Sequence, residues 1–172
     1  MNNIEIKPLV GIVINGKEIK LGASEAEVKA VLGNPDSKGT NSLYYFENEL
    51  RFDFGTSSGN VEFIEFLGGI DGELQPEIYG VPAFQTDAEE LYKILKTQNG
   101  GRIDDSEAEY SYGFLEISVG VSRETTPYDV QEMVADATVK NSSVYDEDIN
   151  EEMRLANHWG TIGIGIENYY KH

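Results

Sequence analysis

The chain has 172 residues, and its 13 Lys and Arg residues face 31 Asp and Glu residues, which gives a net charge of −18. Both halves are acidic, with 6 basic and 13 acidic residues in 1–80 and 7 and 18 in 81–172. This charge opposes binding to nucleic-acid phosphates or anionic lipid and favours basic partners. The absence of cysteine excludes disulfides and thiolate chemistry. A solvated, highly soluble surface is the other explanation of the charge.

Strands are predicted on either side of a short helix. Residues 10–21 predict a hairpin, because Asn15-Gly16 is the preferred pair for a type I′ turn. After the helix, the alternation of apolar and polar residues in 43–54 predicts two strands joined by a tight turn at Glu47-Asn48-Glu49. The run 61–67 has too many apolar residues for a strand with one wet face, so we expect it to be central.

The helix itself is predicted over 24–32. Ser24 is a natural N-cap, and Glu27 stands three residues later, where it completes a capping box. Gly33 suits the left-handed position that closes a helix, and Pro35 prevents its continuation. An apolar stripe at helical spacing indicates which side packs on the sheet; it consists of Val28, Val31 and Leu32.

A second copy of this pattern begins about sixty residues further on. Thr86 is the expected N-cap, Glu89 its capping-box partner, and Asn99-Gly100 the stop. The stripe of this helix is Leu91, Ile94 and Leu95. Aligning the segment that starts at Tyr110 with the one that starts at Tyr45 places Leu50, Phe52 and Phe54 on Leu115, Ile117 and Val119.

The repeated pattern predicts an α+β fold of two tandem units, each a helix packed on an antiparallel sheet. The units are 1–76 and 77–172, with a Gly-rich linker over 68–76, although one continuous domain is the alternative. The second unit contains a helical insertion over about 124–159 before a closing strand. Its two helices are expected to begin at Thr126-Pro127, with the stripe Val130, Met133, Val134 and Ala137, and at Asp146.

The string Leu-Gly-Ala-Ser-Glu-Ala-Glu-Val-Lys-Ala-Val-Leu-Gly-Asn-Pro over 21–35 resembles the helical signature of the BLIP-like families. These families include the β-lactamase inhibitor protein and outer-membrane lipoproteins of the SmpA/OmlA type. The strands over 44–54 and 61–66 also resemble small, uncharacterised Firmicute proteins of immunity type. The resemblance implies a tandem α+β fold that binds other proteins through an open sheet face. The lipoprotein cysteine and the inhibitor-type disulfides are missing, which opposes an outer-membrane or extracellular role.

The sequence contains few candidates for catalytic residues. Neither His158 nor His172 stands near a Gly-Ser-Gly elbow, so no nucleophilic arrangement is expected. The acidic loop over 104–109 lacks the spacing of an EF-hand, and we expect no metal or cofactor. A metal-dependent enzyme using paired carboxylates remains the alternative, and a rise in thermal midpoint with Ca²⁺, Mg²⁺ or Mn²⁺ would favour it. The start of the chain lacks a signal-peptide pattern, so a cytoplasmic protein is expected.

We therefore predict a protein-binding module without catalytic residues. The specific hypothesis is an acidic immunity or inhibitor protein that covers a basic toxin or enzyme; a structural or regulatory interaction domain is the alternative. Tyrosines on or beside the strands suit a binding surface, although core packing also explains them: Tyr44, Tyr45, Tyr110, Tyr112, Tyr169 and Tyr170. The predicted partner contacts are Asp53, Glu62, Glu65, Asp104, Asp105, Glu107, Tyr110 and Tyr112.

Overall fold

The computed structural model describes residues 1–139 and 146–171. Residues 140–145, which fall in the predicted insertion, and His172 lie outside the described residues. The described part has a mixed α+β fold with four helices and two sheets of five and eight strands. Within those residues, none of the helices has the length and apolar character that crossing a bilayer requires.

The described residues include thirteen strands and four helices. The strands are β1 (Ile4–Lys7), β2 (Gly11–Ile14), β3 (Lys17–Lys20), β4 (Ser37–Lys38), β5 (Ser42–Tyr45), β6 (Leu50–Phe54), β7 (Val61–Phe66), β8 (Glu77–Ile78), β9 (Val81–Pro82), β10 (Ile103–Asp104), β11 (Ser111–Phe114), β12 (Val119–Ser122) and β13 (Thr161–Gly165). The helices are α1 (Glu25–Leu32), α2 (Ala88–Asn99), α3 (Pro127–Val139) and α4 (Asp146–Ala156).

The smaller sheet has the order β3-β2-β1-β8-β9, and β1 and β8 pair in parallel. The predicted hairpin is confirmed: Asn15-Gly16 joins β2 to β3, with φ values of 50° and 79°. Both values lie in the left-handed region that a type I′ turn requires.

The larger sheet has the order β10-β11-β12-β13-β7-β6-β5-β4, and every pair in it is antiparallel. Two runs of four consecutive strands therefore meet at β7 and β13, the last strand of each run. The prediction that residues 61–67 form a central strand is confirmed, because β7 pairs with β6 on one side and β13 on the other.

The caps of the first two helices show what local patterns can decide. The first helix begins as predicted, since Ser24 Oγ accepts a hydrogen bond of 3.1 Å from the amide of Glu27. The predicted cap of the second helix is wrong by one residue. Asp87, not Thr86, caps α2 by accepting from the amides of Glu89 and the next residue. The Thr86 hydroxyl instead donates to the Pro82 carbonyl at 2.6 Å.

Helices α3 and α4 lie in the chain between β12 and β13 and pack against each other. The predicted start of α3 is confirmed: Thr126 Oγ1 accepts from the Asp129 amide at 3.2 Å, and Asp129 Oδ2 accepts from the Thr126 amide at 3.0 Å. Its predicted stripe is wrong at Met133, which is 45% exposed, whereas Val130 is fully buried.

The strand predicted from the alignment of Leu50, Phe52 and Phe54 with Leu115, Ile117 and Val119 is confirmed at Val119 and wrong at the other two positions. Residues 115–118 form the turn between β11 and β12, so Leu115 and Ile117 lie in a turn and not on a strand. Their burial explains the error, since apolar residues in a turn imitate the alternation of a strand.

The predicted linker is a compact loop between β7 and β8. The Glu49 carboxylate accepts hydrogen bonds from the amides of Glu73 and Leu74 at 3.0 and 3.1 Å. Gln75 Nε2 donates to three carbonyls of the same loop, and Leu74 is 1% exposed. The loop therefore packs on the rest of the molecule.

One hydrophobic core joins both sheets with α1 and α2. Along the longer strands of the larger sheet, alternate side chains enter this core, as the geometry of a strand requires. The core side of that sheet includes Leu43, Tyr45, Leu50, Phe52, Ile64, Phe66, Phe114, Val119, Val121, Ile162 and Ile164. The opposite side, which we call the outer face, carries the polar residues of the same strands.

Candidate functional site

The outer face gathers polar side chains from strands that are distant in the chain. Strand pairing sets Arg51 beside Glu65, and Glu65 beside Gly163. These residues alternate with core residues on their strands, so their side chains lie on the side of the sheet away from the core. Asp53 follows two residues after Arg51 on the same face.

Three glycines lie side by side across the centre of this face. Gly113 pairs with Gly120, and Gly120 pairs with Gly163, on three adjacent strands. The row continues to Asp104 on β10 at one end and to Glu65 on β7 at the other. Four strand spacings separate these two carboxylate residues, about 19 Å in all. Because glycine has no side chain, the row leaves a depression between them.

Aromatic rings of the C-terminal turn and of β7 cover part of this row. The Tyr170 ring lies over Gly113 and Gly120, where a Cβ on either glycine would contact it. The Phe63 ring covers Gly163 in the same way. Phe63 stacks on Tyr169, with ring centroids 4.7 Å apart and an interplanar angle of 8°. These rings therefore fill the space that side chains at the three positions would occupy.

A groove of about 400 Å³ remains open beside the Tyr170 ring. It has a row of hydroxyl groups, and Ser122 Oγ lies 2.6 Å from Thr161 Oγ1. Its charged lining consists of one arginine and three carboxylates: Arg51, Glu65, Asp104 and Glu107. The groove is therefore acidic, and it brings together three of the predicted acidic contacts from two separate parts of the chain.

The arginine in this groove is held by an ion-pair network. Arg51 Nη2 lies 3.0 Å from Glu65 Oε1, and its Nε lies 3.2 Å from Asp53 Oδ1 without the alignment of a hydrogen bond. Its guanidinium is also 5.8 Å from the centroid of the Phe63 ring. Burial raises the pKa of Glu65 above its usual range, and the nearby Arg51 opposes that rise.

The acidic loop after β10 forms one end of the groove. Asp104 Oδ1 accepts from the amide and the hydroxyl of Ser106, at 3.1 and 2.7 Å. Glu107 Oε2 accepts a long hydrogen bond of 3.4 Å from the Ser111 hydroxyl. Asp105 and Glu107 are exposed to solvent. Only Glu107 of these two lines the groove, and Asp105 lies beside it on the loop.

Two of the predicted contacts, Glu62 and Tyr110, lie away from the groove. Glu62 stands beside a β-turn, where its carboxylate accepts from Ser58 Oγ at 3.3 Å. The Tyr110 hydroxyl donates to both carboxylate oxygens of Asp129, at 2.6 and 2.7 Å. That contact holds the start of α3 and is directed away from the outer face.

Tyr112 lies on the core side of the sheet, since it pairs with Val121 among the buried residues. Its ring packs 4.6 Å from the Tyr92 ring and 5.8 Å from the Trp159 ring, centroid to centroid. The hydroxyl accepts from the Glu109 amide at 2.9 Å. For this residue the geometry matches the packing explanation of the tyrosines.

Sequence reasoning did not identify Arg51 or the hydroxyl row as parts of a site. The sequence does contain a signal for the glycine row. A glycine inside a strand indicates the close approach of another group, and Gly113, Gly120 and Gly163 each lie inside a strand. Their adjacency, however, depends on the registers of three strands.

Within residues 1–139 and 146–171, no group of three His, Asp or Glu residues has the arrangement that holds a metal ion. No protein-family model, curated protein or solved structure matches the chain. The resemblance to the BLIP-like families stays a prediction from the sequence.

Proposed function

We propose that the protein binds another protein through the outer face of its larger sheet. The specific form is an acidic inhibitor of immunity type that covers a basic toxin or enzyme. The observation that carries this proposal is the acidic groove, which Glu65, Asp104 and Glu107 line together with Tyr170. Asp53 extends the same acidic surface along β6.

The composition of this surface suits protein recognition. Tyrosine is enriched among the residues that dominate binding energy at interfaces. The Tyr169 and Tyr170 rings pack against each other on this face, and Tyr170 lines the groove together with the three carboxylates. In this proposal the rings slow dissociation, while the carboxylates orient the incoming basic surface.

The net charge of −18 supports the same kind of partner. A surface of one sign attracts partners of the opposite sign and increases the association rate, most strongly at low salt. It repels nucleic acid and anionic membranes, so neither belongs to the proposal. The proposal includes a cytoplasmic location, which the absence of cysteine supports because secreted proteins often carry disulfides.

We also propose that the two runs of strands are tandem units with a helical insertion in the second. Each run follows a hairpin and a helix: β2–β3 and α1 precede β4–β7, and β8–β9 and α2 precede β10–β13. The position of α3 and α4 between β12 and β13 supports the insertion. In this arrangement the groove lies across the junction, because Glu65 comes from one unit and Glu107 from the other.

The experiment compares two double variants that change the net charge equally. Asp105→Lys/Glu107→Lys reverses charge at the groove, whereas Glu5→Lys/Glu77→Lys reverses it on the smaller sheet, where these two exposed residues pair. Each variant and the unmodified protein are immobilised and exposed to extract of the source cell at low and high salt.

We expect the unmodified protein and the smaller-sheet variant to retain the same basic protein, which high salt releases and whose activity falls when the unmodified protein is added. The groove variant should lose it. Retention of no basic protein, or equal loss with both double variants, would contradict the proposal.

A further inference from the structure

The two ends of the glycine row differ in their charged groups: the basic residue of the groove lining, Arg51, belongs to the β7 end. At the β7 end, the Arg51 guanidinium lies between an aromatic ring, Phe63, and two carboxylates, Glu65 and Asp53. This arrangement suits a cation with a planar face, since the ring attracts it and the two carboxylates form ion pairs with it.

The opposite end repeats the ring and the carboxylate around open space. The Tyr170 ring lies over Gly113 and Gly120, and Glu107 projects from the loop after β10. Hydroxyl oxygens of Ser122 and Thr161 stand along the groove between them. Among the residues that line the groove, Arg51 is the basic one, and it belongs to the β7 end.

We infer that this end of the groove receives the side chain of an arginine from the protein partner, in the position that corresponds to Arg51 at the other end. The inference rests on the proposed function and specifies the chemistry of the partner. A guanidinium stacks on an aromatic ring and distributes five N–H groups among several oxygen acceptors. An ammonium group is compact, strongly hydrated and less suited to stacking, so lysine should fit the groove less well.

The dimensions agree with this occupant. The open volume of about 400 Å³ falls at the small end of the range for ligand cavities, about 300–1,000 Å³. It accommodates one long side chain with part of the partner's backbone. Glu107 is exposed and accepts a long hydrogen bond of 3.4 Å from the Ser111 hydroxyl, so an added guanidinium gives this carboxylate a closer, charged partner.

The test titrates the full chain with two peptides of equal charge, acetylated and amidated hexa-arginine and hexa-lysine. NMR follows the amide signals of Gly113 and Gly120, which lie on the floor of the groove. We expect both signals to shift, with an affinity for hexa-arginine about two- to fivefold above that for hexa-lysine, the difference that a partly exposed cation–π contact supplies.

Variants separate the groove from general charge attraction. Glu107→Gln should weaken hexa-arginine binding about threefold, whereas Glu5→Gln, an exposed change on the smaller sheet, should have no comparable effect. Tyr170→Leu should remove the preference for arginine, and Tyr170→Phe, which keeps the ring, should retain it. Unchanged amide signals outside the groove establish that each variant is folded.

Equal affinity for the two peptides, or equal loss with Glu107→Gln and Glu5→Gln, overturns the inference. The absence of binding at millimolar peptide also overturns it. These results leave the proposed function standing if the groove double variant still loses the captured basic protein. Conversely, an arginine preference without any captured protein contradicts the proposed function alone.

Discussion

Arg123 offers a sharp test of how burial determines the strength of a polar contact. Its Nε donates to the Glu109 carbonyl at 2.7 Å and its Nη1 to the Ala156 carbonyl at 2.8 Å. The guanidinium lies 4.7 Å from the centroid of the buried Trp159 ring. One side chain therefore ties the end of β12 to the acidic loop, to the end of α4 and to the core.

The contribution of Arg123 to the free energy of unfolding follows from these contacts. Two hydrogen bonds from a charged donor contribute about 1.5–3 kcal/mol each, and the cation–π contact adds about 0.5–2 kcal/mol. Removal of the half-buried guanidinium from water offsets part of this gain, and the same burial lowers the pKa of Arg123. We expect Arg123→Ala to lower the free energy of unfolding by about 2–4 kcal/mol.

The matched control is Arg154→Ala. Arg154 makes ion pairs of 2.8 Å with Asp71 and 2.7 Å with Glu151, but all three side chains are substantially exposed. Exposed pairs are screened by water and contribute little despite good geometry. We therefore expect a much smaller loss than at Arg123.

Urea denaturation followed by circular dichroism measures both variants. With a slope of about 2 kcal/mol per molar urea, Arg123→Ala should move the midpoint down by about 1–2 M. Arg123→Lys, which keeps the charge but not the planar group, should fall between Arg123→Ala and the unmodified protein. An Arg154→Ala midpoint as low as that of Arg123→Ala would refute the reasoning from burial.

Three further predictions concern individual side chains. Asn99→Leu should cost about 2–4 kcal/mol in denaturant unfolding, because Asn99 Oδ1 accepts two backbone amides of the turn between β11 and β12, and both would lose their partner. Gly163→Ala should lower the thermal midpoint more than Gly120→Ala. The new methyl group meets the buried Phe63 ring at the first position and the hydroxyl end of the partly buried Tyr170 side chain at the second. Equal losses would contradict this. Hydrogen bonds from the Tyr110 hydroxyl and then from the backbone at the start of α3 lower the pKa of Asp129 below 3.8. The Asp129 carboxylate therefore stabilises the fold above pH 3.8, and this stabilisation is lost as the pH falls through the pKa of the folded state. Tyr110→Phe should raise that pKa towards 3.8, which an NMR titration of the carboxyl measures, and an unchanged value would contradict the assignment.

Local signals were sufficient where a single stretch of chain determines the element. The cap at Ser24, the turn at Asn15-Gly16 and the start at Thr126-Pro127 depend on neighbours within three residues. At Thr86 and Asp87, two adjacent residues both suit a cap, and sequence pattern does not choose between them. In the structure the Thr86 hydroxyl donates to the Pro82 carbonyl, and Asp87 caps the helix.

The site was predictable only in part, because it depends on contacts between residues that are far apart in the chain. Glu65, Asp104 and Glu107 were predicted as contacts from charge and strand pattern, and the structure places them around one groove. The floor of that groove depends on the registers of β11, β12 and β13, which sequence pattern does not specify. Tyr112 lies on the core side of the sheet, a placement that sequence pattern did not specify because it depends on where β11 begins.

The pairing of β7 with β13 has a consequence for how the chain folds during synthesis. Strand β7 carries four buried residues, and one of its two partner strands is β13, whose last residue is Gly165. A growing chain that has not yet reached Gly165 must leave one side of β7 open, as an apolar strand edge of the kind that favours aggregation. Closure then requires a contact between segments far apart in sequence, which slows folding. We therefore expect nascent chains that end before β13 to need protection by chaperones, and folding of the larger sheet to finish only after that strand has left the ribosome.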